Sequence, residues 1–170
     1  EILQDNLPIL KERDSVFHVI PHGRDFEKFE NIDFDLTDKA YIDVLLPGNI
    51  GHSKGARLVR EIKDSDAENK YRFHVLGKCT KDLDGYVINH GEYLRKDFAE
   101  RVREIKPDIS AVLSIWPETY CHTLTESWAV GLPVLGVDLG AVGERIARRG
   151  CGWLAEPTAD SIRSVLDFLI

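Results

Sequence analysis

The stretch "WPETYCHTLTESWAVGLPV", Trp116 to Val134, places two glutamates, Glu118 and Glu126, with seven residues between them. An apolar run, "ISAVLSIW", leads into it, and a helix-like segment closed by Gly131-Leu132-Pro133 follows. This order reads as strand, loop, helix and turn. A short helix needs one N-terminal cap, and Thr123-x-x-Glu126 fits a capping box in which the glutamate bonds backbone. Glu118 precedes that box in a loop after an apolar strand, where helix capping gives it no use. Cys121, His122 and Glu126 are metal-ligand residue types, but no second ligand pair accompanies them, so the sequence points to no metal site.

Working outward, short β-rich runs alternate with segments of helical period. Strands are expected at 16–20, 41–46, 72–77, 85–89, 109–115, 133–137 and 152–155, and helices at about 53–63, 92–105, 122–131, 141–149 and 159–169. In "FAERVREI", Phe98, Val102 and Ile105 fall on one helical face and the charges elsewhere. Such alternation predicts an α/β fold, a Rossmann-like parallel sheet with helices on both faces. Ligands of such sheets sit at the carboxyl ends of the strands, in the loops that lead to helices. The acidic "FENIDFDLTD" (29–38) reads as a solvated connector.

A chain of 170 residues fits one domain, residues 1–170, with enough length to bury a core. The balance of 22 basic against 29 acidic residues excludes a general nucleic-acid or acidic-membrane binder, while leaving room for a local phosphate site. Three scattered cysteines, no long apolar stretch and no signal peptide fit a cytoplasmic setting. The sequence lacks methionine, opens on "EILQDNLPIL" and stops on "LDFLI", which reads as a piece of something longer.

Two further loops hold candidate chemistry. In "PGNIGHSKGARLVREI", Gly48, Gly51 and Gly55 allow a tight turn and close backbone approach. Ser53 is expected to cap the following helix, which puts Lys54 in its first turn. A cation there opposes the macrodipole by about 0.3–1 kcal/mol, and a bound anion would reverse the sign. The loop is neither a Walker loop nor a G-x-G-x-x-G fingerprint, and an exposed lysine is the plainer reading. In "DLGAVGERIARRG", Asp138, Gly140 and Glu144 read as a turn and a helix start. Three Asp-x-Asp triplets fall in acidic surface stretches and carry no weight.

Taken in order, these segments resemble the carboxyl-terminal half of retaining glycosyltransferases of the GT-B fold, the group 1 (family 4) type. "VIPHGRDFEKF" resembles the family's hinge segment, with His22 where asparagine is usual. "LLPGNIGHSKG" resembles the strand followed by Gly-Arg and then Lys-Gly, and "FHVLGK" the strand ending in glycine. "ETYCHTLTESWAVGLPVLGVDLGAVGE" resembles the paired-glutamate block with its Gly-Leu-Pro-Val strand, the most specific of these matches. The likeness extends over nearly the whole chain.

The resemblance implies a UDP- or GDP-sugar donor and an acceptor, a cell-envelope polysaccharide among them. It implies no cofactor and no metal. Glu126 would hold the ribose hydroxyls, and Glu118, at the catalytic centre, would lie near those of the donor sugar. Backbone N–H groups around Tyr120, Cys121, His122, Thr123 and Leu124 would face sugar and diphosphate, with Lys54 neutralising the leaving diphosphate. Gly48 and Asn49 would border the phosphates, while Gly77 and His90, in the loops after Gly77 and around Asn89–Tyr93, would border the base. The amino-terminal acceptor half, through which any membrane association would run, would be absent here. Three positions depart from the pattern: Asn49 for arginine, Cys121 for a common glycine, and Ala141 for glycine. Two other readings stand beside this one, a sugar-nucleotide epimerase of the same architecture and a non-catalytic nucleotide-binding scaffold.

Overall fold

A computed structural model describes residues 39–170. The expected first strand (16–20), the hinge-like segment with His22 and the acidic connector lie outside the described residues. Six parallel strands form one sheet: β1 (Ile42–Pro47), β2 (Tyr71–Leu76), β3 (Ile88–Asn89), β4 (Ile109–Val112), β5 (Val134–Val137) and β6 (Gly152–Ala155). Their order is β3-β2-β1-β4-β5-β6. In register, Val44 stands opposite Phe73 on one side and Ile109 on the other. Among the described residues, α1 (Ala56–Asp64), α2 (Phe98–Ile105), α3 (His122–Ala129) and α4 (Gly140–Arg149) lie between strands, and α5 (Ala159–Leu169) follows β6.

Strand periodicity explains the layers. Ile42, Val44 and Leu46 point to one face, where they join Phe73, Val75, Ile109 and Ala111 under Val59 and Ile62 of α1 and Ile162 and Leu166 of α5. Leu45 and Leu76 point to the other face, under Phe98 and Val102 of α2. Val112 and Val134 pack there against Leu124 of α3 and Val142 and Ile146 of α4. All four residues of β4 and of β5 are buried, as strands covered on both faces must be. No helix among the described residues is long and apolar enough to cross a membrane.

Several elements are shorter than the sequence predicts. The helix expected at 53–63 is a 3-10 turn, His52–Lys54, followed by α1, and Gly55 parts them at φ +83°. A side chain at Gly55 would place its Cβ 2.3 Å from the Leu113 carbonyl oxygen, so the break is imposed by the neighbouring strand end. Ser53 therefore caps nothing, and Lys54 stands ahead of α1 and not in its first turn. The helix expected from residue 92 begins at Phe98, because the chain around Leu94 is extended and the turn Arg95–Asp97 intervenes. The strand expected at 85–89 is reduced to the exposed edge pair β3, and that expected at 109–115 ends at Val112.

Candidate functional site

The strand order reverses between β1 and β4, and the crevice outside such a reversal is where open α/β sheets bind ligands. A cavity of about 280 Å³ opens there. Its walls are the β1 loop from Gly48 to Ile50 with Lys54, the end of β4 from Ala111 to Ser114, and Glu118 with Cys121, His122 and Thr123. The two loops are stitched together at its base. The Ser53 carbonyl accepts from the Ile115 N–H at 3.0 Å and from the Ser114 hydroxyl at 3.2 Å.

Lys54 and Glu118 meet across the cavity as an ion pair, the ammonium half-exposed and the carboxylate mostly buried. Glu118 is fixed through its backbone: its carbonyl accepts from the Ala141 N–H at 2.9 Å. Gly140 packs so tightly on Pro117 and Glu118 that any Cβ would stand 2.9 Å from that same carbonyl oxygen. The "DLGAVGE" loop thus supports the cavity wall from behind. Asn49 lines the cavity, and its side-chain oxygen lies 3.4 Å from the Lys78 N–H.

The capping box does not form. Helix α3 starts at His122 with Cys121 as its N-cap residue, and no side chain caps it. Thr123 lies inside the first turn, with its hydroxyl 3.4 Å from the Cys121 sulfur. The Cys121 thiol lies against the Leu124 N–H, a weak acceptor in place of the hydroxyl or carboxylate that usually occupies such donors. Cys121 adopts φ +66° and ψ +92°, a conformation that a β-carbon disfavours. Burial pushes its thiol pKa upward, so it sits in the wall as a neutral group.

Of the residues singled out in the sequence, the cavity brings together Gly48, Asn49, Lys54, Glu118, Cys121, His122 and Thr123. Glu126 does not line it. Its carboxylate is buried one turn further along α3 and accepts a hydrogen bond from the Tyr93 hydroxyl at 3.0 Å. Leu124 turns its side chain into the core. Tyr120 stacks under Arg145. Gly77 packs backbone to backbone against Gly48, with space for no Cβ. His90 lies beyond β3 in a polar chain: its Nε2 is 2.9 Å from His74 Nδ1, and His74 Nε2 is 2.9 Å from Asp43 Oδ1.

Arg145 escaped the sequence reading altogether, and Tyr93 entered it only as the end of the loop expected to border the base. Tyr93 ties the loop after β3 to Glu126. Arg145 of α4 donates to the carbonyls of Tyr120 and Cys121 at 2.5 and 3.1 Å and to the Thr125 hydroxyl at 2.7 Å. Neither contact follows a helical or strand spacing, so no periodicity could reveal it. Among the described residues no cluster of three His, Cys, Asp or Glu side chains is placed to hold a metal ion.

No protein-family model and no curated protein sequence matches the chain. Solved structures do. HepE of Anabaena, in complex with UDP and glucose, superposes with a TM-score of 0.60 at 15% identity over 76% of this chain and 38% of its own. Sucrose-phosphate synthase of Thermosynechococcus elongatus gives a TM-score of 0.66 at 18% identity, covering 89% of this chain and 44% of that one. The carboxyl-terminal domain of the group 1 glycosyl transferase LpcC of Francisella tularensis gives 0.60 at 18% identity, covering 86% and 87%. The chain spans about two fifths of the length of HepE. With a parallel six-stranded sheet in the order above and these structural neighbours, the chain has the Rossmann-like fold of the carboxyl-terminal half of a GT-B glycosyltransferase.

Proposed function

We propose that this chain is the donor-nucleotide domain of a retaining glycosyltransferase that moves a sugar from a UDP- or GDP-sugar to an acceptor, in the cytoplasm, with a cell-envelope polysaccharide as the acceptor class. The observation that carries the reading is the cavity at the strand-order reversal, where Lys54, Glu118 and the uncapped start of α3 converge. Anions bind at helix N-termini because free N–H groups and the macrodipole point at them. An ammonium beside them supplies the point charge that stabilises a leaving diphosphate. The structural neighbour HepE, seen in complex with UDP, with UDP and glucose, and with UDP-glucose, supports the donor class.

The cavity size bears on how a donor lies. At about 280 Å³ it falls just under the roughly 300–1,000 Å³ usual for small-molecule sites. It suits diphosphate and sugar, and the nucleoside runs outward along the loops of Gly77 and His90–Tyr93 toward Glu126. Leaving-group stabilisation needs no metal in this scheme, since Lys54 and the α3 N–H groups take the charge. The acceptor and the closing wall come from a second domain, so this chain alone binds nucleotide and transfers little sugar.

Calorimetric titration with UDP, GDP and UDP-glucose tests the reading. Binding that prefers one nucleotide and is weakened at least tenfold, about the worth of one charge-assisted contact, in both Lys54→Ala and Glu126→Gln is expected. Equal binding by all three proteins would return Lys54 to an ordinary surface role and Glu126 to a purely structural tie with Tyr93.

A further inference from the structure

Arg145 lies outside the cavity, yet it grips the turn that carries Cys121, a residue of the cavity's α3 wall. Its guanidinium donates two hydrogen bonds from Nη1, to the carbonyls of Tyr120 and Cys121, and one from Nη2 to the Thr125 hydroxyl. The same group lies over the Tyr120 ring at 4.4 Å and the Trp128 ring at 5.3 Å. The Thr125 hydroxyl in turn reaches the Tyr120 hydroxyl at 3.3 Å. These contacts close a ring of interactions around one peptide turn. That turn contains Cys121, whose φ of +66° strains a residue with a β-carbon. Strain of this kind persists only where surrounding contacts over-determine the backbone.

We propose that Arg145 is a positioning residue: it holds the strained Tyr120–Cys121 turn in place and thereby aims the first N–H groups of α3 into the cavity. Arginine suits the task because its planar fork can satisfy two carbonyls and a hydroxyl at once while stacking on aromatic faces, and lysine cannot do all of these. Burial lowers the guanidinium pKa without discharging it, so the tether stays cationic at any physiological pH. The consequence for binding rests on the nucleotide reading above; the tether itself does not.

The test separates the two. In a Cys79→Ser, Cys151→Ser background, Cys121 is the remaining thiol, and it is buried. Arg145→Ala should speed its labelling by a small aromatic disulfide at least about tenfold through local opening. Leu166→Ala, a core variant on the opposite sheet face, should lower the Tm without that acceleration. UDP or GDP, whichever the wild type binds, should bind Arg145→Ala about tenfold more weakly, the penalty of releasing a strained backbone. Arg145→Ala combined with Cys121→Gly should return to within about threefold of wild type, because glycine adopts positive φ without a tether and loses only some order. Arg145→Lys should fall between wild type and Arg145→Ala.

Labelling of Arg145→Ala at the wild-type rate, or no faster than Leu166→Ala, would overturn the proposal. So would a double variant that binds as weakly as Arg145→Ala. If the wild type binds no nucleotide, the functional reading fails, and the labelling rates still decide whether Arg145 tethers the turn.

Discussion

At the scale of single residues, the pairing of Lys54 with Glu118 matters most. A diphosphate entering the cavity must take the ammonium away from a carboxylate that is itself mostly buried, and it then leaves that carboxylate beside an anion. Donor-sugar hydroxyls can restore a partner to Glu118, whereas a bare nucleoside diphosphate cannot. Glu118→Gln keeps the shape and removes the competing charge. It should tighten UDP binding by up to about fivefold, the scale of a partly exposed ion pair, with the gain shrinking at high salt. Calorimetry at two ionic strengths checks this; weaker UDP binding by the variant would mean that Glu118 holds the nucleotide directly.

At the scale of elements, the site depends on where helices do not begin. Residues 53–63 carry a helical pattern, and pattern alone predicts one helix. Gly55 interrupts it because the Leu113 backbone leaves no room for a side chain, and the resulting 3-10 turn swings Lys54 over the cavity. Gly55→Ala combines a left-handed φ with a backbone collision and should cost at least about 2 kcal/mol in urea unfolding. It should also weaken nucleotide binding, since the turn that presents Lys54 would shift. A variant as stable as wild type would show that the β4 end yields easily. The start of α3 follows the same logic. Thr123-x-x-Glu126 is a sound capping signal, and it loses because Arg145 and the buried Tyr93–Glu126 contact fix a different first turn.

At the scale of the whole molecule, a polar chain joins β1, β2, the loop after β3 and α2. Arg72 donates to Asp43 at 2.8 Å, Asp43 meets His74, His74 meets His90, and Arg101 donates to the His90 carbonyl at 2.9 Å. Of the two acids on α2, Glu100 and Glu104, it is Glu104, paired with Arg101, that acts on His90. Burial, then the neighbouring His74 and Arg101, push the His90 pKa below its ordinary 6.5, against a smaller opposing pull from Glu104. Above pH 6.5 the ring is neutral whether the chain is folded or not, and stability is fully present. As the pH falls below that, the unfolded chain takes up a proton that the folded one refuses, so stability declines toward the lower folded pKa. Thermal unfolding at pH 7.5 and 5.5, values chosen about one unit either side of the ordinary imidazole pKa, should show a larger loss for wild type than for His90→Gln. Equal losses would remove His90 from the acid limb.

The sequence by itself determined the layered α/β class, the positions of β1, β2, β5, β6, α4 and α5 within a residue or so, and the two loops that form the cavity. These follow from local periodicity, turn residues and the requirement that central strands be apolar on both faces. It also marked seven of the residues that meet at the cavity: Gly48, Lys54 and Glu118 stand out in the loops after strands, and Asn49, Cys121, His122 and Thr123 were named through the resemblance to glycosyltransferases. Only the tertiary structure decided the rest. The side-by-side placement of β1 and β4, the break at Gly55, the burial of Glu126 against Tyr93 and the grip of Arg145 on the Cys121 turn each join residues from 24 to 65 positions apart. Such contacts depend on how helices and strand ends settle against one another, and no period in the chain encodes a meeting between segments that distant.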